Sequence, residues 1–378
     1  MKVVCDREKL REGLAIANNV IPGKSTKPVL ENVCLVATDG GATDGGSGNG
    51  ALELVGADVD VSVRYRIDDV QVGEPGPAVI PARVALEFVR DLGGETVSLE
   101  TDGSQCAIRS GPDGCELVTM DPDEFPVISR FEDEDTVTIQ GGRFTRLVNQ
   151  TAFAAAREPG RYAMHGILVE LEGDELRLVA SDGRRMALAS CTVDASKIQG
   201  AIGQTIVPTK GMQLFCRAIA DPLDQVHLRF GENQVGLKTK NAEIFARLID
   251  GEFPRYSAVV PQDAAHTMEA DRETFGRKLR LVANVAGDEA RAVKLQLAKG
   301  QLELTGRSAG RGEAKASMEV AFKDGPADIA FNPDYVLDGL KCCDQDQVVL
   351  EFNDSTSPGK FRMGESCIYV VMPITVNA

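Results

Sequence analysis

Apolar and polar residues alternate with a period of two over Tyr162–Ala189. Ile167, Val169 and Leu171 interleave with Glu170 and Glu172; Leu176, Leu178 and Ala180 interleave with Glu175 and Arg177; Met186 and Leu188 resume the alternation. Gly173-Asp174 and Asp182-Gly183 interrupt the pattern at the two points where a hairpin needs residues tolerant of left-handed backbone. The stretch predicts a three-stranded meander.

The same order of signals recurs before and after it. A helical spacing, with Leu10, Leu14 and Ala17 on one face, covers Asp6–Val20, and related helices are expected at 142–157 and 272–285. Strand-to-helix junctions follow in AVIPARVALEFVRDL (78–92), TIVPTKGMQLFCRAI (205–219) and DIAFNPDYVLDGL (328–340). Their pivots Pro81, Pro208 and Asn332 lie about 125 residues apart, a domain-sized period. Glu124-Phe125-Pro126 and Glu252-Phe253-Pro254 close the first two copies. The expected architecture is α+β: three repeated domains (1–128, 129–258 and 259–378), each with two helices and about eight strands on antiparallel sheets. In the first copy, Leu30–Thr38 and Ala51–Ile67 read as strands around Asp39–Gly50, whose Gly, Ser and Asp content marks a flexible hairpin tip.

Composition narrows the class. At 378 residues, 43% hydrophobic and 26% charged, the chain is that of an ordinary globular protein, with no apolar run of membrane-spanning length. KVVCDREKL after Met1 is unlike a secretory signal, and nine cysteines without a CxxC pair are expected to stay reduced, which together predict a cytoplasmic location with no membrane partner. The net charge of −16 argues against a nucleic-acid partner until its distribution is considered. The six predicted helices carry fifteen Lys/Arg against eight Asp/Glu, and 142–157 and 272–285 are almost free of acids. A polyanion-facing helical surface is therefore expected. No helix begins with the Arg, Asn and Gln cluster that reads base edges, so contact with a nucleic acid would be sequence-independent.

Catalytic chemistry is missing from the pattern. Gly23-Lys24-Ser25 lacks the glycine that a phosphate-binding loop requires at position 18, where Asn18 stands. His165, His227 and His266 are isolated from other ligands, so no metal and no cofactor are expected. Asp121/Asp123 and Asp344/Asp346 fall in loops, where solvated carboxylates are common. With no Trp and five Tyr, stacking of single-stranded bases is poorly supported.

GKSTKPVLENV (23–33), IPARV (80–84), GILVELEGDELRLVASDGRRMA (166–187), IVPTKG (206–211), LIDGEFPRY (248–256) and YVVMPI (369–374) together resemble the bacterial DNA polymerase III beta subunits, the sliding-clamp family, over essentially the whole chain. The resemblance implies a non-catalytic processivity factor: a head-to-tail homodimer forming a closed six-domain ring around duplex DNA. It implies partners that insert short peptides into a shared pocket, namely the replicative polymerase's catalytic subunit, the clamp loader and repair polymerases. It places Lys24, Arg83, Arg161, Tyr162 and Lys210 near DNA. It places Met164, Ser181, Gly183, Arg184, Arg185, Met186, Pro254, Val259, Val370, Met372, Pro373 and Ile374 in the peptide pocket. At the dimer interface, the edge strand around Cys115 and Leu117 is expected to meet the helix end around Asn284 and Val285. Two departures stand out: Arg184 where a His is frequent, and a tail running on as Thr375-Val376-Asn377-Ala378.

Helix geometry agrees with two chains per ring. Six helices about 10 Å apart enclose a circle roughly 19 Å across, or about 9 Å after one helix thickness is removed. Twelve enclose roughly 38 Å, leaving about 28 Å, enough for a duplex whose major groove alone is about 12 Å wide. A trimeric clamp, with fewer repeats per chain, and an acidic scaffold binding only proteins are the alternatives.

Overall fold

In a computed structural model of the chain, residues 1–39, 50–198, 202–287 and 291–375 are described. The expected hairpin tip lies almost wholly outside the described residues, as does the tail beyond Thr375. Among the described residues there are six helices: α1 (Arg7–Val20), α2 (Ala82–Asp91), α3 (Gly141–Thr151), α4 (Thr209–Arg217), α5 (Arg272–Ala283) and α6 (Pro333–Cys342). Twenty-four strands accompany them, eight in each of the three repeats. None of the helices is long and apolar enough to cross a membrane.

Local sequence explains where the helices begin. Asp6 and Asp271 occupy extended backbone and accept hydrogen bonds from the Lys9 and Thr274 amides, both at 2.8 Å. These satisfy amides that the first turn leaves without an intrahelical partner. Asn332 does the same for the Asp334 amide at 2.9 Å, and Pro333, which has no N–H to satisfy, follows at the first helical position.

The strands form a twelve-stranded, an eight-stranded and a four-stranded sheet, all of the pairings antiparallel. The chain divides into two compact units. One comprises Met1–Gly142, Asp194–Gln199 and Lys210–Leu248; the other comprises Arg143–Val193, Gly200–Thr209 and Ile249–Ala378. In the first unit α1 packs on α2, and strand Ala242–Arg247 of the second repeat pairs with Val61–Glu74 of the first. In the second unit α5 packs on α6, and Cys367–Val371 of the third repeat pairs with Arg185–Thr192 of the second. A continuous sheet thus crosses each expected domain boundary.

The closing Glu-Phe-Pro segments plug the cores. Phe253 is buried with Leu168, Val179, Met186, Ile206 and Val370; Phe125 packs on Val29, Leu30 and Val79. Each such side chain removes apolar surface worth about 2–3 kcal/mol.

Three expectations change. Ala51–Ile67 is two strands, Gly50–Ala57 and the start of Val61–Glu74, joined by a turn in which the Asp58 carboxylate accepts from the Val59 amide at 2.7 Å. The helix expected at 142–157 ends at Thr151, whose hydroxyl donates back to the Leu147 carbonyl at 2.9 Å. Ala152–Ala154 continues only as a 3-10 turn. Strand Gly166–Glu172 is buried on both faces at Ile167, Leu168 and Val169, so its alternation is partial.

Candidate functional site

The second meander turn is built by three side-chain choices. Gly183 has φ +85°, a conformation that favours glycine. The Asp182 carboxylate accepts from the Arg184 and Arg185 amides at 2.9 and 3.0 Å. The Ser181 hydroxyl accepts from the Gly183 amide at 3.1 Å and donates to the Arg185 carbonyl at 2.9 Å. The turn is therefore held by its own side chains.

Two further walls meet it within the same unit. Met186 pairs with Val370 and Arg185 with Val371; just beyond the strand, the Met372 amide donates to the Arg184 carbonyl at 2.9 Å. The third wall is Pro254–Val259, anchored by buried Phe253 and the 3-10 turn Tyr256–Ala258. Together they enclose a cavity of about 250 Å³. Ten of the twelve residues expected in the pocket line it: Met164, Ser181, Gly183, Arg184, Arg185, Met186, Pro254, Val259, Val370 and Met372. Pro373 and Ile374 do not line it; the Ile374 amide instead donates to the Ala330 carbonyl at 2.8 Å. Tyr162 and Tyr256 complete the lining. Tyr256 was visible in the closing motif LIDGEFPRY, but nothing in its spacing marks it as a wall.

The two arginines of the turn behave differently. Arg184 is exposed. Arg185 is turned inward. Its guanidinium donates to Asp182 at 3.0 Å, to Asp338 on α6 at 2.9 Å and to the Phe153 carbonyl at 3.0 Å. It also lies 4.6 Å from the Tyr335 ring centroid. Burial opposes its charge, but the bonds to Asp338, Tyr369 and Asp182 outweigh burial and hold its pKa above the usual value. Burial raises the Tyr369 phenol, which donates to the Tyr335 carbonyl at 2.8 Å. Arg185 lines the cavity with its stem and ties the second repeat to the third with its head.

The residues expected near DNA fall in both units. Lys24, Arg83 and Lys210 belong to the first unit, Arg161 and Tyr162 to the second. Lys24 is exposed in the connector after α1. Arg83 pairs with Glu87 along α2 at 3.0 Å, and Lys210 pairs with Asp58 at 2.9 Å. The Arg161 guanidinium lies 5.5 Å from the centroid of the Tyr162 ring, which also faces the cavity. Of the residues expected at the dimer interface, Cys115 is half-buried and Leu117 buried on Asp113–Val118, a strand at the edge of the twelve-stranded sheet. The exposed apolar residue of that edge is Val118. Asn284 caps α5 and is exposed; the Val285 amide donates to the Val282 carbonyl.

The first unit contains the same construction with different side chains. Its turn Asp58–Asp60 is bridged by the Arg247 amide, which donates to the Asp60 carbonyl at 2.8 Å, as the Met372 amide does to Arg184. Val61 stands where Arg185 stands in the second unit, and Arg247 where Met372 stands. The recess there is lined by Asp58, Asp60, Asn233, Gln234 and Arg247 together with Val59, Val127 and Phe245, and is far more polar than the cavity of the second unit. Among the described residues, no group of three or more His, Cys, Asp or Glu is placed to hold a metal ion.

Comparison with known proteins matches 1–129, 138–255 and 257–375 to the N-terminal, central and C-terminal domains of the DNA polymerase III beta subunit. The chain is 29% identical over 377 residues to beta sliding clamps of Pseudomonas putida and Escherichia coli K12, covering 99% of this chain and all of each relative. Among solved structures, the DNA polymerase III subunit beta of Pseudomonas aeruginosa is similar over the full length of both chains, with a TM-score of 0.91 at 27% identity. A second structure of that protein, bound to griselimycin, matches equally well. The C. crescentus beta sliding clamp matches with a TM-score of 0.88 at 28% identity.

Proposed function

The chain belongs to the DNA polymerase III beta subunit family, and from that premise we propose how it acts as a DNA sliding clamp. It is a non-catalytic processivity factor. Two copies close head to tail into a ring around duplex DNA, and extended segments of the replicative polymerase, the clamp loader and repair polymerases bind the cavity walled by Ser181–Met186, Pro254–Val259 and Val370–Met372. The convergence of ten sequence-selected residues on one apolar cavity is the observation that carries the partner-binding part. Methionines at 164, 186 and 372 suit a pocket that accepts varied apolar side chains. That a Pseudomonas aeruginosa relative has been solved with griselimycin bound supports a ligand-accepting recess in this family.

DNA binding is topological in this account. A ring leaves a closed circle of DNA only by opening, so weak phosphate contacts suffice and leave it free to slide. Arg143 on α3 and Arg277 and Arg280 on α5, all exposed, join the residues assigned to DNA, while the excess of acid elsewhere repels the duplex. Ring closure joins the free edge of Asp113–Val118 on one chain to the end of α5 on the other. We place domain boundaries near 128 and 258, and the protein in the cytoplasm, where its free cysteines stay reduced.

Sedimentation tests the assembly. At micromolar concentration the mass should be about twice 40.4 kDa; a monomer or a trimer would contradict the ring.

A further inference from the structure

We propose that the recess of the first unit is a second docking surface, which takes an extended segment of a partner protein by main-chain pairing with residues 127–130. It shares no residue with the cavity of the second unit. Val127 is 101% exposed and Val59 76%, the two highest values among the large apolar residues described, and both border this one recess of about 470 Å³. Buried Phe245 and exposed Pro126 also line it. Apolar side chains gathered in water beside a concavity mark a surface that another chain can cover.

The main chain says what kind of chain. After Glu124-Phe125-Pro126, residues 126–130 form no helix, strand or turn. Among the described residues, no N–H or C=O of 127–130 has a hydrogen-bond partner. The second unit differs at the same point. After its Glu-Phe-Pro the chain folds into the 3-10 turn Tyr256–Ala258, and the Val259 amide donates to the Tyr256 carbonyl at 3.0 Å. The first unit thus presents four residues of unpaired backbone beside two bare valines, the features that an added strand satisfies together.

Charge sets little preference here. Lys210 holds Asp58 at 2.9 Å, which leaves Asp60 and Arg247, one exposed charge of each sign, without an ion-pair partner among the described residues. Aliphatic contact and backbone pairing therefore carry the affinity. The occupant is an extended segment with Val, Ile or Leu against Val59 and Val127.

A displayed library of random twelve-residue peptides, selected against the full-length dimer, tests this. One class of selected peptides should lose about tenfold in affinity for Val59→Asp/Val127→Asp and keep its affinity for Met372→Glu, which fills the other cavity. For that class, affinity should change less than about twofold between 50 and 500 mM salt. On the unaltered dimer the same peptides should slow hydrogen exchange at the amides of 127–130. That measurement needs no variant to fold. If every selected peptide is lost in Met372→Glu, the second docking surface is overturned while the cavity stands. Peptides that depend on the valines with none that depend on Met372 would overturn the cavity and leave this surface standing. Valine-dependent binding without slowed exchange at 127–130 would overturn main-chain pairing. If the dimer instead associates further in sedimentation, and the valine variant does not, the occupant is a second copy and the proposal fails.

Discussion

Arg185 sits at the edge of an apolar cavity yet directs its charge away from it, toward Asp182, Asp338 and the Phe153 carbonyl. Only a tenth of its side chain is exposed. Removing it strands carboxylates in a half-buried network, so Arg185→Ala should cost about 2–4 kcal/mol in urea denaturation. The same network sets an acid sensitivity. Burial works to raise the Asp338 pKa, but Lys341 and Arg185 outweigh it and hold it below 3.8. A carboxyl depressed in the folded state stabilises the fold above its unfolded pKa, and that stability fades as pH falls through the folded value. Asp338→Asn should therefore narrow the difference between urea midpoints at pH 7 and pH 3; an unchanged difference would contradict the assignment. Thiols provide a second residue-level check. Burial, with Asp6 and with neighbouring thiols and Asp344 adding to it, pushes Cys5 and Cys367 up to about 12, so both should resist thiol reagents at pH 8 until the protein unfolds. The sequence singled out Arg185 for the pocket wall but gave no sign of its inward role, because Asp338 lies 153 positions away.

At the scale of elements, much was legible. Period-2 alternation located the meander, and helical spacing located α1 and α5 to within two residues: expected at Asp6–Val20 and 272–285, they run Arg7–Val20 and Arg272–Ala283. What failed had local causes. The alanine-rich run after Thr151 has high helix propensity, but a Thr hydroxyl bonding back into the preceding turn and the Ala156 amide donating to Met164 end the helix there. The Asp58–Asp60 turn was hidden by valines on either side, which keep an apolar rhythm through it. The helices also carry a charge prediction. Replacing Arg277 and Arg280 with Ala should weaken binding to a short duplex and reduce the slope of log affinity against log salt by about 2. An unchanged slope would remove α5 from the DNA-facing surface.

Across the whole molecule, one repeated fold carries unequal surfaces. Both units bridge a turn to a closing strand with the same backbone hydrogen bond, yet Met372 makes one recess apolar and Arg247 leaves the other far more polar. The repeat was legible from the order of elements. The difference in function was legible only in Gly183-Arg184-Arg185-Met186 and the closing Val370-Val371-Met372, which no other repeat carries. The edge strand proposed to meet a second chain was the least legible element. Leu117 proved buried and Val118 exposed, a distinction fixed by strand register that single-sequence alternation reads poorly on a short edge strand.

Encirclement is the central claim, and its most direct test is to assemble the protein on a nicked circular duplex, remove unbound protein, and cut the circle once. The account predicts stable retention on the circle and loss within the time needed to slide off the ends once the DNA is linear. Equal retention on circular and linear DNA would contradict it.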